Sequence, residues 1–197
     1  MINVNRVPPS EQDAAVGAIV AAFRGDPVAQ WFYPDRQQYD EIFPRFVGIL
    51  AEAAFAHDGV YCTEDYTAAA LWLAPGVHAD EKAVAAIVEA TIPKTSQPAV
   101  AALLERMEQG HPNQPHWYLP MIGVAPEKQR HGYGSALLKA SLERCDAEDT
   151  LAYLEASSIQ SVPLYERHGF QVVGRIQVAS SPPLFSMLRK PRRNARN

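Results

Sequence analysis

A chain of 197 residues, 47% hydrophobic and 20% charged, holds enough apolar side chain for one continuous core and too little charge for a disordered polymer. Its net charge of −4 is unevenly spread: the last nine residues, RKPRRNARN, carry five of the 18 basic side chains and no acid. Residues 1–188 therefore set 13 basic against 22 acidic side chains, a balance of −9 that speaks against nucleic acid as a partner.

The longest apolar run, Ala68–Ala74, falls far short of the roughly 20 residues of a membrane helix. The opening MINVNRVPPSEQD lacks both the basic start and the apolar run of an export signal. No membrane partner and a cytoplasmic location are expected. In that setting Cys62 and Cys145 are expected as free thiols, and the six histidines show no ligand spacing, so no metal is expected.

From the N-terminus, Ile2–Val7 alternates apolar and polar residues before Pro8-Pro9, which predicts a short strand. Ser10 with Asp13 resembles a capping box, and Ala15, Ile19, Ala22 and Phe23 recur at helical spacing up to Gly25. Asp26-Pro27 predicts the cap and first residue of a short helix through Phe32, ended by Pro34. Tyr39, Ile42, Phe43, Phe46, Val47, Leu50 and Ala54 trace a long helical stripe, disturbed at Pro44 and stopped at Gly59. Val60–Thr63 and Thr67–Leu73 read as a hairpin across Glu64-Asp65. Residues 79–91 and 98–109 read as helices with start signals at Asp80 and Pro98. Then come a strand, His116–Val124, a helix carrying Leu137, Leu138 and Leu142, a strand, Leu151–Glu155, a helix, Val162–His168, and strands at Phe170–Gln177 and Leu184–Leu188. This mixture predicts an α/β (α+β) fold around a mixed sheet, a single domain over residues 1–188, with residues 189–197 as a disordered basic tail.

The segment from Val124 to Ser135, VAPEKQRHGYGS, lies between a strand and an amphipathic helix. Backbone N–H groups at a helix start have no intrahelical partners and sit at the positive end of the helix dipole, where a pyrophosphate can bind. Gly132 and Gly134 permit close backbone approach, and Arg130 can add a charge-assisted bond. A tight turn without a ligand is the alternative. No GxxxxGK[ST] is present, and Leu137 stands where a dinucleotide fingerprint needs Gly or Ala.

Val124-Ala125-Pro126, then Gln129-Arg130-His131-Gly132-Tyr133-Gly134, then Tyr165-Glu166-Arg167-His168-Gly169-Phe170 resemble, in order and separation, the motifs of the GNAT N-acetyltransferases. HWYLPMIGV, YLEASS, VPLYERHGF and PPLFSMLRK are further similar to the branch containing puromycin N-acetyltransferase, which modifies diverse acceptors. The resemblance covers residues 116–188 clearly and the first 115 only loosely. It implies a mixed, largely antiparallel sheet flanked by helices, acetyl-CoA as co-substrate, and a small-molecule or peptide amine as acceptor, with a homodimer allowed. A noncatalytic acyl-coenzyme A-binding module is the alternative function.

The same resemblance implies the site. Residues Gln129, Arg130, His131, Gly132, Tyr133, Gly134 and Ser135 would hold the pyrophosphate, and the backbone of Ile122 and Val124 the pantetheine arm. Ser161 would contact that arm in place of the Asn common in relatives, and the Val124 N–H would face the oxyanion. Tyr165 would bind beside the coenzyme and protonate its departing thiolate, with core packing as its alternative role. The general base is less sharply marked: Glu155 is the first candidate, with His116 and Tyr118 as alternatives expected on the same strand face as Ile122 and Val124. His131 and His168 are not demanded by the motif. Trp31, Phe32, Tyr33 and Trp72 are candidates for an acceptor pocket or for the core.

Overall fold

Residues 2–192 are described by a computed structural model. Seven strands form one sheet: β1 (Val4–Arg6), β2 (Val60–Thr63), β3 (Ala68–Leu73), β4 (His116–Val124), β5 (Leu151–Ala156), β6 (Gln171–Ile176) and β7 (Leu184–Arg189). They lie in the order β1-β2-β3-β4-β5-β7-β6, with β4–β5 parallel and every other pair antiparallel. Helices α1 (Gln12–Phe23), α2 (Pro27–Phe32), α3 (Arg36–Phe55), α4 (Glu81–Thr91), α5 (Gln97–Gly110), α6 (Tyr133–Ala147) and α7 (Val162–Arg167) complete the expected mixed, largely antiparallel arrangement.

The two sheet faces bury separate clusters. On one, Ala15 and Ile19 of α1 and Val47, Leu50 and Ala51 of α3 pack against Ala69, Leu71 and Leu73 of β3. On the other, Leu137, Leu138 and Leu142 of α6 pack against Trp72, Trp117, Leu119, Ala152, Leu154 and Met187. Strand β3, AAALWL, is buried on both faces, which is why it reads as a continuous apolar run rather than an alternating one.

Most helix starts follow local chemistry. The Asp26 carboxylate accepts from the N–H groups of Val28 and Ala29, Asp35 from Gln38, and Asp80 from Lys82 and Ala83. The capping box at Ser10 does not form. Pro9 opens a 3-10 turn, Pro9–Glu11, which draws Ser10 into helical backbone, and α1 begins at Gln12 without a side-chain cap.

Two expectations about strands are corrected. Leu71 pairs with Met121 but Leu73 with Tyr118, so two steps along β3 oppose three along β4. The extra residue falls at Leu119-Pro120, where proline has no N–H for the ladder, and the resulting bulge reverses the alternation. Tyr118 consequently joins the α1/α3 face with Met121, whereas Ile122 and Val124 pack on the α6 face. His116 and Tyr118 thus do not share a face with Ile122 and Val124. The second correction concerns Arg189, assigned to a disordered tail. It is the last residue of β7, 2% exposed, with Nη1 and Nη2 donating to Asp146 Oδ1 and Oδ2 at 2.7 and 2.8 Å. The Arg192 N–H joins the same carboxylate at 2.6 Å. Residues 193–197 of the tail lie outside the described residues.

Candidate active site

Past the bulge, β4 parts from β5. Their parallel pairing runs only from His116–Tyr118 to Leu151–Tyr153, while β5 continues against β7 through Ala156. The Ala125 N–H donates to Thr67 O at 2.8 Å, towards β3. Because successive backbone groups of a strand alternate sides, the N–H groups of Ile122 and Val124 turn towards the open gap. A slot lined by unpaired strand backbone results.

The loop after β4 leads into the start of α6. A 3-10 turn, Pro126–Lys128, is followed by Arg130 and Gly132 with positive φ of 63° and 91°. The first backbone bond of α6 runs from the Ala136 N–H to Gly132 O at 2.9 Å, so the N–H groups of Tyr133, Gly134 and Ser135 precede the ladder and stay free for an anion. The loop is braced from within. Gln129 Nε2 donates to Val124 O at 3.2 Å and His131 Nδ1 to Gln129 O at 2.8 Å. At Ser135, Oγ lies 2.7 Å from His168 Nε2. A Cβ on Gly134 would stand 3.2 Å from Leu164 Cδ2, so this glycine also lets α7 approach α6.

This slot and this helix start open into one cleft of roughly 2130 Å³, which also reaches α3, α4 and α5. Tyr165 lines it from α7, 7% exposed, with its ring edge-on to Phe170 at 6.1 Å. Burial, with the Asp26 carboxylate adding to it, raises its pKa above 10 and keeps the phenol protonated. Ser161 also lines the cleft, but its hydroxyl is spent on Ser158 O at 2.7 Å.

Glu155 enters the same cleft from β5 with its side chain 2% exposed. Oε2 accepts from the Tyr118 hydroxyl at 2.8 Å, whereas Oε1 has no hydrogen-bond partner among the described residues. Burial pushes this carboxyl up to about 7, against the opposing pull of the Tyr118 bond. The nearest cation-forming group is His111 Nε2, 3.8 Å from Oε1. His111 Nδ1 is in turn 2.9 Å from His116 Nε2, and His116 Nδ1 is 2.8 Å from Gln114 O.

The two base alternatives therefore gather around Glu155 instead of competing from elsewhere. Tyr118 bonds it directly, and His116 sits one ring away. His111 was not singled out by the sequence, since nothing in its spacing shows that the turn after α5 folds it against β4 and β5. Asp26 was read only as a cap, yet its second oxygen accepts from Ser157 Oγ and so ties the α1–α2 corner to the end of β5. Of the four aromatics offered for an acceptor pocket, Phe32 lines the cleft. Trp72 and Tyr33 are core residues, and Trp31 Nε1 donates to Ser180 Oγ at 3.3 Å.

Residues 95–190 match the acetyltransferase (GNAT) domain family. An uncharacterized N-acetyltransferase of Schizosaccharomyces pombe is 24% identical over 209 residues, an alignment covering 94% of this chain and 82% of the relative. Among solved structures, a "histone acetyltransferase HPA2 and related acetyltransferase" of Corynebacterium glutamicum superposes with a TM-score of 0.72 at 24% identity, covering 98% of each chain. A polyamine N-acetyltransferase of Drosophila melanogaster shares the fold at a TM-score of 0.69 and 13% identity, covering 96% of this chain and 100% of its own. Over residues 95–190 the chain is thus similar to the GNAT acetyltransferases, and over nearly its whole length it has their fold.

Proposed function

We propose that this enzyme moves an acetyl group from acetyl-CoA to a primary amine of a small molecule or peptide, by direct attack within a ternary complex. The observation that carries the reading is Glu155, a buried carboxylate with one unpaired oxygen, in the same cleft as the protonated phenol of Tyr165. A carboxyl raised towards neutrality and a phenol that keeps its proton, in one cavity, fit general base and general acid.

In this reading the N–H groups at the start of α6, with Gln129, Arg130 and His131, hold the pyrophosphate. Ile122 and Val124 bond the pantetheine arm as an added strand would, and the Val124 N–H steadies the oxygen that gains charge as the amine attacks. Glu155 takes the ammonium proton, directly or through water. Tyr165 gives its proton to the thiolate that leaves. A metal has no part in these steps.

The charges lining the cleft segregate. Lys128, Arg130 and Arg167 come from the segments around α6 and α7, whereas Glu81, Glu89, Glu105 and Glu108 come from α4 and α5. The first set suits a phosphate-bearing donor and the second a cationic acceptor.

Release of free thiol from acetyl-CoA, followed across a panel of primary amines with product mass, tests the proposal. Amine-dependent release is expected. Tight coenzyme binding without release for any amine would favour a noncatalytic binding module instead.

A further inference from the structure

We propose that His111 and His116 relay to solvent the proton that Glu155 removes from the acceptor's ammonium group, a role that rests on the reading of Glu155 as the base. The direction of the chain follows from one fixed acceptor. Gln114 O is a carbonyl and can only accept, so at 2.8 Å the proton between it and His116 belongs to His116 Nδ1. Neutral His116 then presents a bare Nε2, and the 2.9 Å contact requires the proton on His111 Nδ1. His111 is left with a lone pair on Nε2, and that atom is the one facing Glu155 Oε1 at 3.8 Å. A tilt of the ring or one bridging water closes this distance.

The transfers balance. The acceptor's N–H bond breaks, its electron pair stays on nitrogen, and the proton bonds to Glu155 Oε1. It passes to His111 Nε2 while the Nδ1 proton of His111 moves to His116 Nε2 and the Nδ1 proton of His116 leaves to water. One proton enters, one departs, and exchange with water restores both starting tautomers. Exposed Asn113, Gln114 and Pro115 place the far end of the chain at the surface, whereas the Glu155 side chain is 2% exposed. Burial and the His116 ring push His111 down to about 4, against about 7 for Glu155. The proton therefore rests on the carboxyl rather than on His111. The relay conducts without trapping charge on the rings. Tyr118, Tyr153 and Glu108 also face Glu155, and His78 faces His111, but among the described residues no hydrogen bond links any of them onward to the surface turn.

Nitrogen-15 spectra of the full chain labelled at histidine test the chain without an acceptor. His111 and His116 are expected as Nδ1–H tautomers, with shifts that follow a titration near 7 and lose it in Glu155→Gln. A proton found on His111 Nε2 overturns the relay. In turnover with the best acceptor among tyramine, 2-phenylethylamine and spermidine, His111→Asn and His116→Asn should each lower kcat about 10- to 100-fold in dilute buffer. The KM for amine should be unchanged, and added imidazole should restore the rate. Folded variants with wild-type kcat and no response to imidazole would sink the relay alone, whereas a fully active Glu155→Gln would remove the base on which it depends.

Discussion

In the proposed mechanism Tyr165 and Glu155 make different demands on a substitution, because one must hold its proton until the thiolate forms and the other must be free of it beforehand. Tyr165→Phe keeps the ring that packs edge-on to Phe170 and removes only the hydroxyl. Turnover should fall about 10²- to 10⁴-fold with little change in coenzyme affinity, as read by steady-state kinetics beside calorimetric binding. Near-normal turnover would leave Tyr165 a packing residue. For Glu155, raised to about 7, activity should climb with pH and level off above that value, and Glu155→Gln should remove the climb together with most of the rate. The same shift has a stability sign. A carboxyl that binds its proton more tightly when folded stabilises the fold fully below its unfolded pKa and loses that contribution as pH rises through its folded pKa. Between roughly pH 4.5 and 7 the wild type should therefore lose on the order of 3 kcal/mol that Glu155→Gln retains. Thermal melts at pH 8 should find the inactive variant the more stable protein.

At the scale of elements, the start of α6 joins two requirements at neighbouring glycines. Gly132, at φ 91°, serves a left-handed turn that costs an L-residue about 1–2 kcal/mol, so Gly132→Ala should lower the melting temperature. Gly134 is helical and carries no such strain, but a side chain there meets Leu164 and narrows the approach to free N–H groups. Gly134→Val should weaken coenzyme A binding at least tenfold with a smaller loss of stability, and unchanged affinity in the folded variant would place the pyrophosphate elsewhere. The end of β7 is fixed by another device, the fork of Arg189 on Asp146. Burial raises the Asp146 pKa, but the bonds from Arg189 and the Arg192 N–H outweigh it and hold the group below its ordinary value. Its contribution is present above the unfolded pKa near 3.8 and is lost as pH falls through the lower folded value. Asp146→Asn leaves a buried guanidinium without its counter-charge, so a loss of about 3–5 kcal/mol is expected in denaturant titrations at neutral pH.

Across the whole molecule, the cleft runs from a basic end beside α6 and α7 to an acidic end beside α4 and α5. Reversing Glu105 and Glu108 to Lys should raise the KM of a dicationic amine several-fold while leaving that of acetyl-CoA unchanged. Both residues are exposed, so the effect should shrink with added salt. An equal rise for a monocationic and a dicationic amine would argue that these carboxylates merely solvate the rim.

Much of this architecture was legible in the chain itself. Strand β4 has the bounds read from its alternation, Asp26 and Asp80 cap the helices their spacing announced, and the glycines of GYG begin α6. Such features depend on residues within a turn or two of each other, so local sequence determines them. The face that each β4 side chain occupies was not read correctly, although Pro120 within an otherwise regular strand was a visible warning of a bulge. Arg189 looked like tail because its partner, Asp146, lies 43 residues away on α6. His111, His116, Tyr118 and Glu155 come from the end of α5 and from two parallel strands, and no period in the sequence links them. Tertiary structure alone decided that cluster, because the pairing of β4 with β5 and the folding back of the turn after α5 bring distant residues within bonding distance and exclude the water that would otherwise level their proton affinities.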